Sequence, residues 1–205
     1  TPMAAVAGAV ADEMLETMLV EAKKPDSCID HLRKIYVNNG GDIAFWLNEG
    51  ESFSIGVVDN PQIPELNAKV SLAHESQVRG IATSGWRGRS LSLGIADAVT
   101  VLAKSAAVAD VAATLIANEV IVDFPGIEKR PASEVKDDSD LGMIPVTVVV
   151  PDLAEDKIYI ALEQGAKSAR KFIKDGKITA AYLSLQKQTL VIENDDKIER
   201  AIINN

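Results

Sequence analysis

Residues 80–118 read GIATSGWRGRSLSLGIADAVTVLAKSAAVADVAATLIAN. The pattern predicts a short strand, a turn rich in glycine and arginine, a β-branched central strand at 99–102, and an alanine-rich helix. Ser105 is a suitable N-cap for that helix, which we expect to end near Asn118. This one stretch therefore combines strand, turn and helix, and it contains most of the candidate functional residues.

The flanking sequence predicts further helices and hairpins. Residues 2–22 are expected to form a helix whose small, apolar first half is buried. Asn38, Asn39, Gly40 and Gly41 form a hairpin turn signal between two strands. The expected strands are 34–37, 42–47, 53–58, 69–73, 78–82, 145–150, 178–185 and 188–193.

A polar segment at 123–142 is expected to be a loop. After it, Asp152 is expected to cap a helix that ends near Gly176, with Glu155 at capping-box spacing. Helices inserted between antiparallel hairpins predict an α+β fold with antiparallel sheets and packed helices, in a single domain over 1–205. Neither a Gly-x-Gly-x-x-Gly strand-to-helix turn nor a Walker-type phosphate loop is present.

Composition and net charge limit the classes of partner that the protein is expected to bind. The chain has 205 residues and a formal net charge of -9, which disfavours binding to nucleic acid or to an anionic membrane surface. The single cysteine, Cys28, cannot form an internal disulfide, so a reducing, cytoplasmic location is expected. No apolar run approaches the roughly 18 residues of a membrane-spanning helix.

The sequence begins at Thr1, without a methionine. A threonine and a proline at positions 1 and 2 suit the start of a helix, so truncation of preceding residues is the simpler interpretation. Autocatalytic cleavage that exposes Thr1 as an N-terminal nucleophile is the alternative.

The turn after the strand at 78–82 is a candidate phosphate site. Thr83 and Ser84 supply hydroxyl groups, Gly85 frees backbone amides, and Arg87 and Arg89 supply guanidinium groups. These are the donors that a phosphate or pyrophosphate requires. A surface turn with two solvated arginines fits the same residues equally well.

Asp110 and Thr114 are candidate metal ligands. They lie four residues apart on the predicted helix, so both project from one face. A carboxylate and a hydroxyl are oxygen ligands suited to magnesium. The structural alternative is an aspartate that interacts with the helix dipole and a threonine bonded to its own helix.

The turn at Gly40, Gly41 and Asp42 has two interpretations. Glycine permits positive φ, so it can be a tight turn and nothing more. Alternatively, the glycines allow the backbone to approach a bound ring system, with Asp42 near the ligand. His31 and His74 are the only histidines, which excludes a multi-histidine metal site.

Three segments in this order resemble the FAD:protein FMN transferases, the ApbE-like family. They are Asn39 to Ile43, Ala82 to Gly85, and Ala109 to Thr114. The likeness covers about residues 3–120 and is closer still to an uncharacterised sister family, in which Gly94-Ile95-Ala96-Asp97-Ala98-Val99 follows the arginine turn.

The resemblance implies an ApbE-like fold with magnesium held by Asp110 and Thr114, helped by the Ala113 carbonyl. It implies FAD, as ligand or substrate, against Gly40 and Gly41 and against Thr83 and Ser84. In the transferases a His-x-x-Asp-Pro motif follows the arginine turn. Here Asp97 is present, but the histidine and the proline are absent.

Three functions remain open. The first is a magnesium-dependent flavin or nucleotide phosphotransferase of the ApbE type, in which the metal polarises the pyrophosphate. The second is a non-catalytic flavin- or nucleotide-binding protein on the same fold, which the missing histidine favours. The third is a structural role for the alanine-rich helices. Pairing of small exposed sheets would make the protein a homodimer, and no catalytic residue is assigned.

Overall fold

The computed structural model describes residues 3–24, 31–60, 65–88 and 90–193. Within them the elements run in the order α1 Val6–Ala22, β1 Lys34–Asn39, β2 Asp42–Leu47, β3 Ser52–Val57, β4 Ala68–Ala73, β5 Gly80–Ser84, β6 Ala98–Ala103, α2 Ala106–Glu119, β7 Glu128–Pro131, α3 Ala132–Val135, β8 Pro145–Val149, α4 Glu155–Lys174, β9 Ile178–Leu185 and β10 Gln188–Glu193. Thr1, Cys28 and Arg89 lie outside the described residues, and so do the predictions made for them.

A six-stranded sheet with the order β1-β2-β5-β6-β9-β10 forms the centre of the molecule. Every neighbouring pair in it is antiparallel. The hairpins β3–β4 and β7–β8 form two separate two-stranded sheets. Antiparallel sheets combined with packed helices confirm the predicted α+β class.

The two faces of the central sheet bury different partners. On one face, side chains such as Val99, Val101 and Leu183 pack against α2 and α4 in the largest apolar cluster. On the other, Ile81 and Leu102 pack against the β3–β4 hairpin. Side chains alternate across a strand, so neighbouring residues of β6 belong to opposite layers. This explains why all six residues of β6 are buried.

Both hairpins of the central sheet were predicted, and both turn at two residues with positive φ. Gly40 and Gly41 have φ of 72° and 114°, which glycine adopts without a steric penalty. The amide of Gly41 also donates to Oδ1 of Asn38 at 2.8 Å. At the other end of the sheet, Gln186 and Lys187 have φ of 47° and 69°.

Helix α2 lies very close to β5, and Gly80 makes that approach possible. A Cβ atom on Gly80 would lie 2.0 Å from the carbonyl carbon of Ser105 and 2.1 Å from the amide nitrogen of Ala106. Gly8 has the same role between α1 and α2, since a Cβ there would lie 2.4 Å from the carbonyl oxygen of Ala106. Two glycines therefore fix the start of α2 against the sheet and against α1.

Helices α1 and α2 cap each other. Asp12 of α1 accepts hydrogen bonds from the amides of Ala106 and Ala107, both at 2.9 Å, in the first turn of α2. Asp110 of α2 accepts one from the amide of Gly8 at 2.9 Å, in the first turn of α1. The amides at a helix start have no partner within the helix, and the positive end of the dipole favours a carboxylate. Each helix thus supplies a carboxylate acceptor for the unpaired amides at the start of the other helix.

Some element boundaries differ from the prediction. Helix α4 begins at Glu155 with Ala154 as its N-cap, so the prediction of a capping box at Asp152 was wrong. The chain remains extended there because Leu153 donates to Oε1 of Gln186 at 2.9 Å. The expected loop at 123–142 contains β7 and α3, and α1 starts at Val6 rather than at residue 2. Ser105 caps α2 as predicted, accepting from the amide of Val108.

None of the helices within the described residues combines the length and the apolar character that crossing a membrane requires.

Replacing Gly80 by alanine is expected to lower the free energy of unfolding by about 2 kcal/mol or more, because the new methyl group overlaps the backbone of Ser105 and Ala106. Chemical denaturation measures the change. Gly176→Ala is the control, since nothing lies within 4 Å of its added Cβ and only its φ of 66° carries a cost of about 1 kcal/mol. Equal losses in the two variants would contradict the close approach.

Asp12→Ala is expected to destabilise the protein by about 1–2 kcal/mol, because two amides at the start of α2 lose their acceptor. The matched control is Glu13→Ala, which removes the neighbouring exposed carboxylate from the same helix. Thermal and chemical denaturation of both variants check this. An Asp12→Ala protein as stable as the control would show that the inter-helix cap contributes nothing.

Candidate functional site

A cleft of about 950 Å³ opens where the start of α1, the β1–β2 turn, the end of β5 and the segment after β3 meet. Its size falls in the range of small-molecule and cofactor sites. The segment at 136–141, which follows α3, lines another side of it. The start of β6 and one face of α2 complete the lining, so many separate parts of the chain contribute to a single concave surface.

The register of the sheet leaves room for this cleft. Strand β2 pairs with β5 only through Ile43 with Ile81 and Ala44 with Gly80. Thr83 and Ser84 extend beyond these pairs, and both line the cleft together with the Gly40-Gly41 turn. The offset between β2 and β5 thus brings two turns to the same cleft. They are the Gly40-Gly41 turn, called the glycine turn, and the Thr83-Ser84 turn, called the hydroxyl turn.

Most of the residues predicted as site residues line this cleft. They are Gly40, Gly41, Asp42, Thr83, Ser84, Asp97, Asp110 and Thr114. Two do not line it. Ala113 is buried in the apolar cluster between α2 and the sheet. Arg87 pairs instead with Asp97, which does line the cleft.

Asp97 accepts hydrogen bonds from the turn after β5, which carries Trp86 and Arg87. Its Oδ1 accepts from Nε of Arg87 at 2.6 Å and from Nε1 of Trp86 at 3.1 Å, and its Oδ2 accepts from the amide of Gln186 at 2.6 Å. The Arg87 guanidinium also lies over the Trp86 ring, 4.6 Å from its centroid. Three donors on one carboxylate tie the turn after β5 to the β9–β10 turn. Arg87 is consequently engaged in an ion pair, so phosphate binding would compete with that pair.

Asp110 and Thr114 lie one turn apart on α2 and both line the cleft. Burial raises the pKa of Asp110, while hydrogen bonds from the amides of Gly8 and Ala7 oppose that shift. A carboxylate offers about four acceptor sites, so two amide donors leave capacity for a cation. The pair therefore fits a magnesium ion that takes few protein ligands and completes its shell with water and phosphate. Within the described ranges, no group of three or more His, Cys, Asp or Glu side chains is placed to hold a metal.

The cleft is strongly acidic. Six aspartates contribute to its lining, and among the lining residues that the structure describes Lys136 is the one cation. Among the ion pairs that the structure describes, Asp97 pairs with Arg87, and Asp138 lies 3.7 Å from Lys136. An anionic ligand entering this cleft needs a compensating positive charge.

The sequence interpretation missed Asp59, which lies two residues beyond β3 and lines the cleft. Its carboxylate is buried and accepts from the hydroxyls of Tyr182 and Ser184 on β9. The position of this aspartate directly after the predicted strand at 53–58 was a sequence signal that could have identified it. Its two partners, more than 120 residues away, could not have been found by spacing.

The family comparison covers almost the whole chain. A family model described as "AbpE bacteria" matches residues 1–201. Among curated proteins, a UPF0280 protein of Methanopyrus kandleri is 34% identical over 149 residues, which are 73% of this chain and 55% of that protein. A UPF0280 protein of Methanobrevibacter smithii is 38% identical over 121 residues, 58% of this chain and 46% of that protein.

A third relative, a UPF0280 protein of Methanocaldococcus jannaschii, is 33% identical over 118 residues, 57% of this chain and 43% of that protein. The chain thus spans about half the length of the curated relatives that it matches. The family match is broader than any of these pairwise matches. It shows that the chain belongs to the family described as "AbpE bacteria".

Proposed function

We propose that the cleft binds a flavin or another nucleotide through its phosphates, together with a magnesium ion on Asp110 and Thr114. The observation that carries this proposal is the convergence of the glycine turn, the hydroxyl turn and the Asp110–Thr114 pair on one cleft of about 950 Å³. These three segments are far apart in sequence and are the same three that resemble the ApbE-like transferases.

The charge of the cleft supports a metal-dependent ligand. A bare pyrophosphate would be repelled by the aspartates of the lining, and Arg87 is already paired with Asp97. A divalent cation held by Asp110 and Thr114 would offset that repulsion. Thr83 and Ser84 would donate to the same phosphates, and the Thr83 hydroxyl, 2.8 Å from that of Thr100, can accept from Thr100 while it donates to a phosphate.

Phosphoryl transfer of the ApbE type is the reaction that this arrangement would serve. Bound magnesium supplies charge neutralisation and polarisation of the pyrophosphate. The residues of the chain position the ligand, with Gly40 and Gly41 allowing close approach of a ring system. A second function, binding without catalysis, is favoured by the absence of the histidine of the transferase motif beside Asp97.

Calorimetric titration with FAD is expected to show binding that strengthens at least about ten-fold with magnesium, and Asp110→Asn is expected to remove that gain. Asp12→Asn is the matched control, because Asp12 also caps a helix start but does not line the cleft. Equal magnesium effects in both variants would contradict the metal site. Absence of binding by FAD, FMN and ADP to the wild type would contradict the proposed function.

Incubation of the wild-type protein with FAD, magnesium and a threonine-containing acceptor peptide separates the two functions. Transfer is expected to release AMP in step with FMN attached to the peptide, measured by chromatography and mass spectrometry, and Asp110→Asn is expected to abolish it. Tight FAD binding with no AMP release would instead support the non-catalytic function.

A further inference from the structure

The segment that follows α3 lines one side of the cleft with a defined backbone. Lys136 and residues 138–141 contribute to the lining. The amide of Lys136 donates to the Ala132 carbonyl at 2.9 Å, and the Lys136 carbonyl accepts from the amide of Ser139 at 3.1 Å. The main chain at Lys136 is therefore held by hydrogen bonds on both sides of the residue.

This segment belongs to the connection between β7 and β8, which is anchored to the chain before β6. The amide of Thr147 donates to the Ser92 carbonyl at 2.8 Å, and Nζ of Lys129 donates to the Leu93 carbonyl at 2.6 Å. Leu141 is buried in a small apolar cluster against which Leu93 packs. These contacts place the Lys136 backbone at the cleft as a consequence of the fold.

The side chain of Lys136, in contrast, is held weakly. Its Nζ lies 3.7 Å from Oδ1 of Asp138, with 58% of the lysine side chain and 80% of the aspartate side chain exposed. Such an exposed ion pair between near neighbours contributes little, because water screens both charges. The ammonium group carries three donors on a flexible four-carbon stem. Lys136 can therefore exchange Asp138 for another anion at small cost.

The charges of the cleft make this exchange useful for an anionic ligand. Among the lining residues within the described ranges, Lys136 is the one cation. Arg87, the other candidate donor described, is already paired with the Asp97 carboxylate. That carboxylate is more buried than Asp138, with 10% of its side chain exposed, so its ion pair is screened less. Lys136 is thus the cationic side chain that is most easily available to a phosphate in this cleft.

We propose that Nζ of Lys136 leaves Asp138 and binds a phosphate oxygen of the nucleotide, so that the cleft selects phosphorylated ligands over the corresponding nucleosides. This inference rests on the proposed function, because it adds a protein cation for the phosphates of the same ligand. Lys136 is here a binding residue that touches the ligand, and Asp138 competes with the ligand for it.

Two matched ligand pairs test the proposal, FMN with riboflavin and ADP with adenosine, each titrated calorimetrically in the presence of magnesium. Lys136→Gln is expected to weaken the binding of FMN and ADP at least about ten-fold, because a charge-assisted hydrogen bond to phosphate is lost. The affinities for riboflavin and adenosine, which carry no phosphate, are expected to change by less than about two-fold. Lys136→Arg keeps the positive charge and is expected to retain most of the affinity for FMN and ADP.

Lys157→Gln is the matched control. Lys157 lies on α4, does not line the cleft, and has a comparable exposed ion pair, with Nζ 4.0 Å from Oδ2 of Asp156. The substitution changes the net charge of the protein by the same amount as Lys136→Gln. Its effect on all four ligands is expected to stay below about two-fold, and circular dichroism checks that both variants are folded.

The outcomes separate this inference from the function on which it rests. If FAD, FMN and ADP all fail to bind the wild type, the proposed function is wrong and the role of Lys136 falls with it. If they bind with the expected dependence on Asp110, but Lys136→Gln and Lys157→Gln have equal effects, the proposed function stands and Lys136 does not bind phosphate. A folded Lys136→Gln protein that loses FMN and riboflavin affinity equally would also overturn the inference, because the loss would not involve the phosphate.

Discussion

Helices α1 and α2 cross where Gly8 has no side chain, and at that crossing each helix receives a carboxylate from the other. Asp12 satisfies two amides at the start of α2, and Asp110 satisfies those of Gly8 and Ala7 at the start of α1. The rest of the site depends on this exchange. Because α2 is held by Gly80 against β5 as well, the crossing fixes the start of α1 relative to the sheet and places it at the cleft.

The exchange also gives Asp110 two roles in one position. Its bond to the Gly8 amide fixes the carboxylate and burial raises its pKa, and the same group that joins the helices also lines the cleft. Asn39 reinforces the arrangement, because its side-chain amide donates to the Ala7 carbonyl at 3.1 Å and ties the glycine turn to α1. The packing of α1 against α2 therefore also determines the shape of the cleft.

Two further carboxylates that line the cleft, those of Asp97 and Asp59, make different contacts. Asp97 has protein donors on both oxygens and joins the turn after β5 to the β9–β10 turn. Asp59 has protein donors on one oxygen only. Both carboxylates therefore join distant segments: Asp97 joins two turns, and Asp59 joins the segment after β3 to β9.

Local chemistry in the sequence determined the elements: glycine at 40 and 41 made the first hairpin, Ser105 capped α2, and alternating apolar residues defined the strands. The order of the segments, through its resemblance to the ApbE-like family, also predicted a set of residues most of which the structure brings to one cleft. The tertiary structure alone decided how those residues are used. Arg87 pairs with Asp97, and Asp59 meets Tyr182 across 123 positions, because these contacts depend on how loops and separate sheets pack against each other, which no local pattern encodes.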